Sequence, residues 1–221
     1  MEISIELVQS DQEIVDLIHK ELYEYIKKIY GVDVILRNNE LANLIKNIII
    51  KNIQGHPTFI SLLNNSAGEL LPELGLPFKI RQWAADSLPN IVAEGIEMIS
   101  MPTIVNDGIS IDTTVMWSNE RMQELINNGF ASYVSQGKNG TKTSIDWLDW
   151  LINDGATLAV TRFHIVYGEG LKGSRTGKAV MKPGGSWELP PQWRGTMNDN
   201  FITQSIEKSV PEILELMANK I

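Results

Sequence analysis

The sequence has no cysteine among its 221 residues. This absence excludes a disulfide framework, a thiolate zinc site and a cysteine nucleophile, and it fits assembly in a reducing cytoplasm. Histidine is scarce too, since the chain has only three. None of His19, His56 and His164 stands in the H-E-x-x-H pattern of a zinc site. The sequence therefore predicts no metal centre built on imidazole.

Long apolar runs are missing as well. No stretch approaches the roughly 18 consecutive apolar residues that a membrane span needs, and lysine and asparagine flank the short run Ile48–Ile50. Met1–Ser10 carries Glu2 and Glu6 where a signal peptide has a basic end and an apolar core. We expect a soluble protein with no membrane partner.

Basic residues are in deficit. The 19 Lys and Arg residues stand against 27 Asp and Glu residues, which gives a net charge of −8. Binding to nucleic acid without regard to its sequence needs clustered cations that release counterions from the phosphates. Local basic clusters are limited to Lys27 with Lys28, and Lys172 with Arg175 and Lys178. We therefore expect that DNA is not bound specifically.

Patterns typical of catalysis are weak. Gly168–Gly173 reads G-x-G-x-x-G, but Ser174–Gly177 continues as a loop where a dinucleotide site needs the start of a helix. The carboxylates of Asp146 and Asp149 share a helix face, which solvated helices also show. We predict no catalytic residue, no cofactor and no metal, and hence not an enzyme. A metal-dependent hydrolase built on paired carboxylates is the remote alternative.

Helical patterns stand at both ends of the chain. Ser10 to Glu13 has the S-x-x-E form of a capping box, and apolar residues recur at helical spacing from there to Gly31. A second amphipathic helix is predicted over Asn39–Ile53, and short helical turns over Thr58–Pro77. The last helix is expected from about Asn198 to the C-terminus, with an interruption at Pro211.

The middle of the chain has mainly β patterns. The predicted strands are Glu2–Leu7, Ile91–Val105, Ile109–Trp117, Thr157–Tyr167, Ala179–Lys182 and Ser186–Leu189, and short helices are predicted over Glu120–Asn128 and Ser144–Asn153. Turn sequences at 106–108 and 183–185 favour hairpins. The fold class is therefore α+β, a mainly antiparallel sheet flanked by helices, with two N-terminal helices and a C-terminal helix. A single domain over 1–221 is expected, with a helical part at about 10–88, a β-rich part at about 90–190 and the last helix at about 198–221.

Six tryptophans need an explanation. Trp147 and Trp150 lie three residues apart on one predicted helix face, which favours packing either in the core or against another subunit. The aromatic and proline-rich segment Trp187–Trp193 suits a docking edge, and equally suits a seal over the core beneath the last helix. Both alternatives stay open at this point.

The C-terminal third has a distinctive order of short motifs, and an earlier segment adds to them. The motifs are Trp147-Leu148-Asp149-Trp150-Leu151, Ser174-Arg175-Thr176-Gly177, Gly184-Gly185-Ser186-Trp187-Glu188-Leu189-Pro190-Pro191, Gly195-Thr196, Asn200-Phe201-Ile202-Thr203 and, earlier, Glu73-Leu74-Gly75-Leu76-Pro77. This order resembles a family of virion structural proteins of tailed bacteriophages, over roughly positions 60 to 210. More distantly, it resembles the neck and tail-completion proteins of long-tailed phages. Gln204 and Trp193 depart from the pattern, in which Arg and Phe are expected.

The resemblance implies a structural part of the particle. Its implied place is the neck, as a head–tail connector, tail terminator or tail-completion protein that forms a ring around the DNA channel. Its implied partners are copies of itself, with a hexamer as the expected ring, and neighbouring connector and tail-tube proteins, while DNA passes nearby. A baseplate or other tail structural protein is the alternative within this class. Six copies at −8 each would form an acidic ring, which suits DNA passage.

Interfaces rather than catalytic groups are then the expected functional features. The loop Gly168–Gly177 is expected to be an arm that orders on contact with a neighbouring subunit. The residues predicted for interfaces are Trp147, Trp150, Lys172, Arg175, Trp187, Pro190, Pro191 and Trp193.

Overall fold

The computed structural model of the protein describes residues 11–30, 39–105, 108–136, 140, 142–153 and 159–220. The chain divides into two compact units. One unit takes residues Met1–Leu44 and Met98–Thr114, and the other takes Ile45–Glu97 and Val115–Ile221. We expected a single domain in which a helical part, a β-rich part and the last helix follow one another along the chain. Each unit combines helix with strand, and the single domain stays a prediction.

The first unit contains helix α1 (Asp11–Tyr30), the beginning of helix α2 (Asn39–Gln54) and most of strands β1 (Ile96–Val105) and β2 (Gly108–Trp117). The strands pair with each other, as the sequence predicted. Both helices follow the predicted bounds closely, because their apolar residues recur at helical spacing. The predicted strand Glu2–Leu7, the capping residue Ser10 and the turn residues 106–107 lie outside the described residues.

Short helices open the second unit after α2. They are α3 (Pro57–Leu63), α4 (Leu70–Leu74), α5 (Phe78–Asp86) and α6 (Leu88–Glu94). The prediction of a strand from Ile91 is wrong, because α6 continues to Glu94. Pro89 occupies the first turn of α6, where its missing N–H costs nothing, and Leu88 and Val92 are fully buried. Burial of one helical face here outweighs the preference of Ile and Val for strands.

A small antiparallel hairpin follows helix α7 (Asn119–Ile126). Its strands are β3 (Tyr133–Gln136) and β4 (Lys142–Ile145), and Tyr133 stands opposite Ile145. Helix α8 begins only at Trp147 and ends at Ile152. The predicted start of this helix at Ser144 is therefore wrong, because residues 142–145 pair with β3.

The longer hairpin joins β5 (Ala159–Tyr167) to β6 (Ala179–Glu188) in antiparallel pairing. The predicted turn at Pro183-Gly184-Gly185 is wrong, because β6 runs through it as one strand. Thr161 stands opposite Ser186 and Phe163 opposite Pro183, so β6 has one extra residue at a bulge. Gly184 and Gly185 take positive φ angles of 102° and 76°, which this bulge requires.

A short 3-10 helix (Pro191–Trp193) leads to the last helix, α9 (Phe201–Lys220). The expected interruption at Pro211 is wrong, since α9 continues through it. Pro211 is exposed, so water can bond to the carbonyl that lost its helical N–H donor. The buried face of α9 carries Ile202, Ile206 and Ile213.

The α+β class is confirmed. The strands of the described chain pair two at a time, in three two-stranded sheets, rather than in one larger sheet flanked by helices. None of the described helices has the length and apolar character that a membrane crossing requires.

Candidate functional site

Two of the motifs, Glu73–Pro77 and Ser174–Gly177, contact each other beside strand β3, although they lie a hundred residues apart in the chain. Arg175 donates from Nη1 to the Gly75 carbonyl oxygen at 3.4 Å and to the Tyr133 hydroxyl at 3.1 Å. Its Nη2 donates to Ser135 Oγ at 2.6 Å, and its guanidinium carbon lies 5.0 Å from the centre of the Tyr133 ring. We call Gly75, Tyr133, Ser135 and Arg175 the Arg175 junction. Its contacts fix α4, β3 and the loop before β6 to one another.

Glycine is favoured at position 75 of the Arg175 junction. Gly75 ends α4 in the left-handed conformation with φ of 59°, and an added Cβ atom would lie 3.2 Å from Arg175 Nη1. The Tyr133 hydroxyl donates to the carbonyl oxygen of Leu74 beside it. Burial raises the pKa of Tyr133, while the charge of Arg175 and its hydrogen bond act in the opposite direction. The tyrosine thus stays neutral and keeps its donor at ordinary pH.

The loop between β5 and β6 is held by contacts within the chain. Gly168 N–H donates to the Lys178 carbonyl oxygen at 2.9 Å, and Gly177 N–H donates to Ser174 Oγ at 2.9 Å. The side chain of Asn65 donates to the Thr176 carbonyl oxygen at 3.0 Å. These contacts account for the conformation of the loop without a neighbouring subunit. Ordering of the loop on contact with a neighbour stays a prediction. The S-x-T-G motif forms the loop's own turn.

A buried carboxylate lies next to the Arg175 junction. Glu73 is 8% exposed and accepts hydrogen bonds from Trp187 Nε1, at 3.1 Å, and from the Tyr167 hydroxyl. Burial raises the pKa of Tyr167, and the carboxylate of Glu73 raises it further. These bonds attach both strands of the β5–β6 hairpin to α4. The sequence did not single out Glu73, although a charged residue inside the apolar run Leu70–Leu76 was a signal for it.

Three further motifs lie where α8 approaches the start of α9. They are Trp147–Leu151, Gly195-Thr196 and Asn200–Thr203. Trp147 is fully buried and donates from Nε1 to the Phe130 carbonyl oxygen at 2.9 Å. Gly195 lies against α8, since a Cβ atom added to it would overlap the Leu151 carbonyl oxygen and lie 2.7 Å from Asn200 Cβ. Only glycine allows this approach of the two backbones.

Asn200 begins helix α9 and is 1% exposed. Its Oδ1 accepts from the N–H groups of Ile202 and Thr203, at 3.0 and 3.2 Å, and Thr203 Oγ1 accepts from the Asn200 N–H in return. Its Nδ2 donates to the carbonyl oxygens of Thr196, at 2.9 Å, and Ile152, at 3.4 Å. The N-F-I-T motif is thus a helix cap that also joins α9 to α8.

The residues predicted for interfaces fall into two groups. Trp147, Trp187 and Trp193 are buried in this chain at 0, 8 and 9% exposure, so their assignment to a subunit interface is corrected to the core. They pack there because the indole rings bury a large apolar area and the N–H groups of Trp147 and Trp187 find acceptors inside. Trp150 and Pro190 are half-buried, and Lys172, Arg175 and Pro191 are exposed. An interface role for these five stays a prediction.

His56 and His164 lie within hydrogen-bond distance of backbone groups and of one glutamine side chain. His56 Nδ1 accepts from the Thr58 N–H at 3.2 Å, and Nε2 lies 3.0 Å from Gln204 Oε1. Burial lowers the pKa of His56. His164 Nδ1 lies 2.5 Å from the Gly184 carbonyl oxygen. Within the described ranges, no three His, Asp or Glu side chains come together as a metal site.

Large apolar side chains are exposed in both units. On α1, Leu17, Ile18 and Tyr25 are 52, 57 and 61% exposed. On the β5–β6 hairpin, Phe163 and Met181 are 40 and 37% exposed.

Comparisons of the chain with protein-family models, curated proteins and solved structures found no match.

Proposed function

We propose that the protein is a structural, non-enzymatic component of a tailed bacteriophage particle and that it forms a ring around the DNA channel at the neck. The proposal starts from the ordered motifs between positions 60 and 210, which resemble virion structural proteins. Neck proteins bind one another and their neighbours in the particle, so their functional features are surfaces.

One observation carries the proposal: the motifs form the contacts that hold the chain's own elements together. Arg175 joins Gly75 across a hundred residues, Asn200 caps α9 while bonding to α8, and Glu73 holds the β5–β6 hairpin. A subunit of a virus particle needs such contacts, because subunits in a ring must present the same surface at each position.

The exposed apolar residues support the same function. Tyr25 on α1 and Phe163 on the β5–β6 hairpin are 61 and 40% exposed, and each has another exposed apolar side chain near it in sequence or register. Aromatic residues are enriched in protein interfaces, where partner contacts bury them. Assembly would therefore bury surface that the isolated chain leaves in water.

The test is the phenotype of particles made without this protein. In cells infected by the encoding phage with a stop codon at Trp147, we expect DNA-filled heads and complete tails that are not joined, seen by negative-stain electron microscopy. A plasmid copy of the intact gene should restore joined particles. Joined and infectious particles without the plasmid would contradict the proposal, and tails that lack a baseplate would favour the alternative location.

A further inference from the structure

The turn after helix α7 contains an asparagine that is followed directly by glycine. Helix α7 ends at Ile126, and in the turn that follows the Ala131 N–H donates to the Asn128 carbonyl oxygen at 2.8 Å. Gly129 is exposed, and nothing lies within 4 Å of the position where it would carry a Cβ atom. Neither a side chain of its own nor a neighbouring group therefore screens the Gly129 backbone.

The side chain of Asn128 is held toward the chain that follows it. Its Oδ1 accepts from the Phe130 N–H at 3.0 Å, which is the bond of an Asx turn. This bond brings the side-chain carbonyl beside the backbone of Gly129, the residue between the two bonded groups. A hydrogen bond to that oxygen also stabilises the negative charge that develops on it when a nucleophile attacks Cγ. The turn therefore supports attack on Asn128 Cγ by the Gly129 nitrogen.

We propose that Asn128 is a site of spontaneous deamidation in the folded chain. The Gly129 nitrogen gives its proton to a solvent base and forms a bond to Asn128 Cγ, while the Cγ–Nδ2 bond breaks and Nδ2 takes a proton from water and leaves as ammonia. Water then adds to either carbonyl of the resulting succinimide ring and opens it. The products are aspartate and isoaspartate, and the reaction consumes only water because the nucleophile belongs to the same chain.

Isoaspartate at position 128 disturbs contacts between the turn and the core. In isoaspartate the backbone runs through the former side chain and is longer, so the bond from Ala131 that closes the turn is lost. The next residue has two core contacts: the Phe130 carbonyl oxygen accepts from Trp147 Nε1 at 2.9 Å, and the Phe130 ring stacks on Trp83 with 5.6 Å between ring centres. Displacement of Phe130 weakens both contacts and leaves a buried indole N–H without its acceptor.

This modification site goes beyond the proposed function and does not depend on it. Deamidation needs only water and the turn after α7, so it proceeds in the isolated chain whether or not the protein is part of a phage neck. The two proposals can therefore fail separately.

Peptide mapping of the folded full-length chain is the first measurement. The chain is incubated at mildly alkaline pH and digested, and mass spectrometry follows the peptide 122–138, which trypsin releases by cleavage after Arg121 and Lys138. We expect Asn128 to convert no more than about tenfold slower than in a synthetic peptide of the same sequence, because the turn keeps the reacting groups together. Stronger protection by the fold would overturn the proposal. The second Asn-Gly step, Asn139-Gly140, lies on the next peptide and is counted separately.

Gly129→Ala is the matched variant. Gly129 has no positive φ and its added methyl group meets nothing within 4 Å, so the fold is kept. The methyl group crowds the attacking nitrogen and should slow conversion at Asn128 roughly tenfold or more. Asn127 is the internal control, since it is exposed in the same peptide but precedes Asn128 instead of glycine, and fragment ions should show it unchanged. Equal rates in the wild type and Gly129→Ala would overturn the proposal.

The effect on the core is measured on the separated products. Ion exchange isolates the converted chain by its additional negative charge, and fragmentation distinguishes isoaspartate from aspartate. Freshly prepared Asn128→Asp is the control, because it has the charge without the longer backbone. We expect the isoaspartate chain to unfold at a lower urea concentration than Asn128→Asp. Equal unfolding midpoints would contradict the link between this turn and the contacts of Phe130.

Discussion

Gly195 lies so close to the carbonyl oxygen of Leu151 that its Cα hydrogen occupies the place where any other residue would put a side chain. This approach joins the segment before α9 to the end of α8. Asn200 makes the same connection by donating to the Ile152 carbonyl oxygen at 3.4 Å. Gly195-Thr196 and Asn200-Phe201-Ile202-Thr203 therefore share one structural role, which is to hold the start of α9 against the end of α8.

Gly195→Ala should destabilise the fold, because the new methyl group would overlap the Leu151 carbonyl oxygen and crowd Asn200 Cβ at 2.7 Å. Both neighbours are fixed, one as backbone and the other as a buried cap, so a loss of roughly 1–3 kcal/mol or more is expected. Urea unfolding followed by circular dichroism measures it. Gly129→Ala is the control, since nothing lies within 4 Å of its Cβ position. Equal unfolding midpoints for the two variants would contradict the close packing of Gly195.

Asn200→Ala should remove both the cap of α9 and the bonds to α8. We expect a loss of about 1–2 kcal/mol from the cap alone. Asn200→Asp keeps an acceptor for the Ile202 and Thr203 N–H groups but replaces the Nδ2 donor with an oxygen, so its loss of stability reports the bonds to α8 together with the cost of a buried charge. The same urea assay applies. If Asn200→Asp unfolds like the wild type, the bonds to the Thr196 and Ile152 carbonyl oxygens contribute nothing.

Much of the helical part of the fold could be predicted, because α1, α2 and α9 carry apolar residues at helical spacing, which α2 and α9 bury on one face. The errors have separate physical causes. Ile91 and Val92 have strand-forming side chains, but burial of Leu88 and Val92 on one face of α6 decides the conformation of the segment. Pro183 to Gly185 has the composition of a turn, and only pairing with β5, which is distant in sequence, turns it into a bulge.

The candidate site was predicted less completely. Arg175 was recognised from its motif, yet its contacts with Gly75 and Tyr133 depend on tertiary packing that local patterns do not encode. β3, where Tyr133 lies, is only four residues long and mostly polar, so it has little periodic signal. Glu73 was missed because burial of a carboxylate is decided by the donors around it, here Tyr167 and Trp187.

Glu73→Ala should leave the buried Trp187 Nε1 and the Tyr167 hydroxyl without their acceptor. A buried donor that loses its partner costs about 1–3 kcal/mol, so this variant should be clearly destabilised. Glu73→Gln should be tolerated better, since its oxygen can accept from Trp187 and its amide can donate to the Tyr167 hydroxyl. Thermal unfolding by calorimetry measures both variants. A Gln variant as unstable as the Ala variant would show that the negative charge itself is needed.

Stability should fall at acid pH because of His56. Its pKa in the folded chain is lowered from 6.5, chiefly by burial and in part by the charge of Lys208. The folded chain therefore binds a proton less readily than the unfolded chain, and the stability present above pH 6.5 is lost as pH falls through the folded pKa. Protonation also removes the lone pair with which Nδ1 accepts from the Thr58 N–H.

His56→Asn isolates this effect, since an asparagine oxygen can cap α3 but does not titrate. The free energy of unfolding of the wild type should drop more than that of the variant between about pH 8 and about pH 5. Urea unfolding at the two pH values gives the comparison. Identical changes in the two proteins would mean that His56 has no part in the acid sensitivity.

We propose above all that this chain is a ring-forming structural protein at the phage neck. Cryo-electron microscopy of purified particles tests it most directly, because the density identifies the chain, its symmetry and its position along the particle axis. We predict a closed ring between the portal and the tail tube, into which the Arg175 junction and helices α8 and α9 fit as they stand. Density for this chain at the far end of the tail, or particles in which the chain does not occur, would contradict the neck location or the structural role itself.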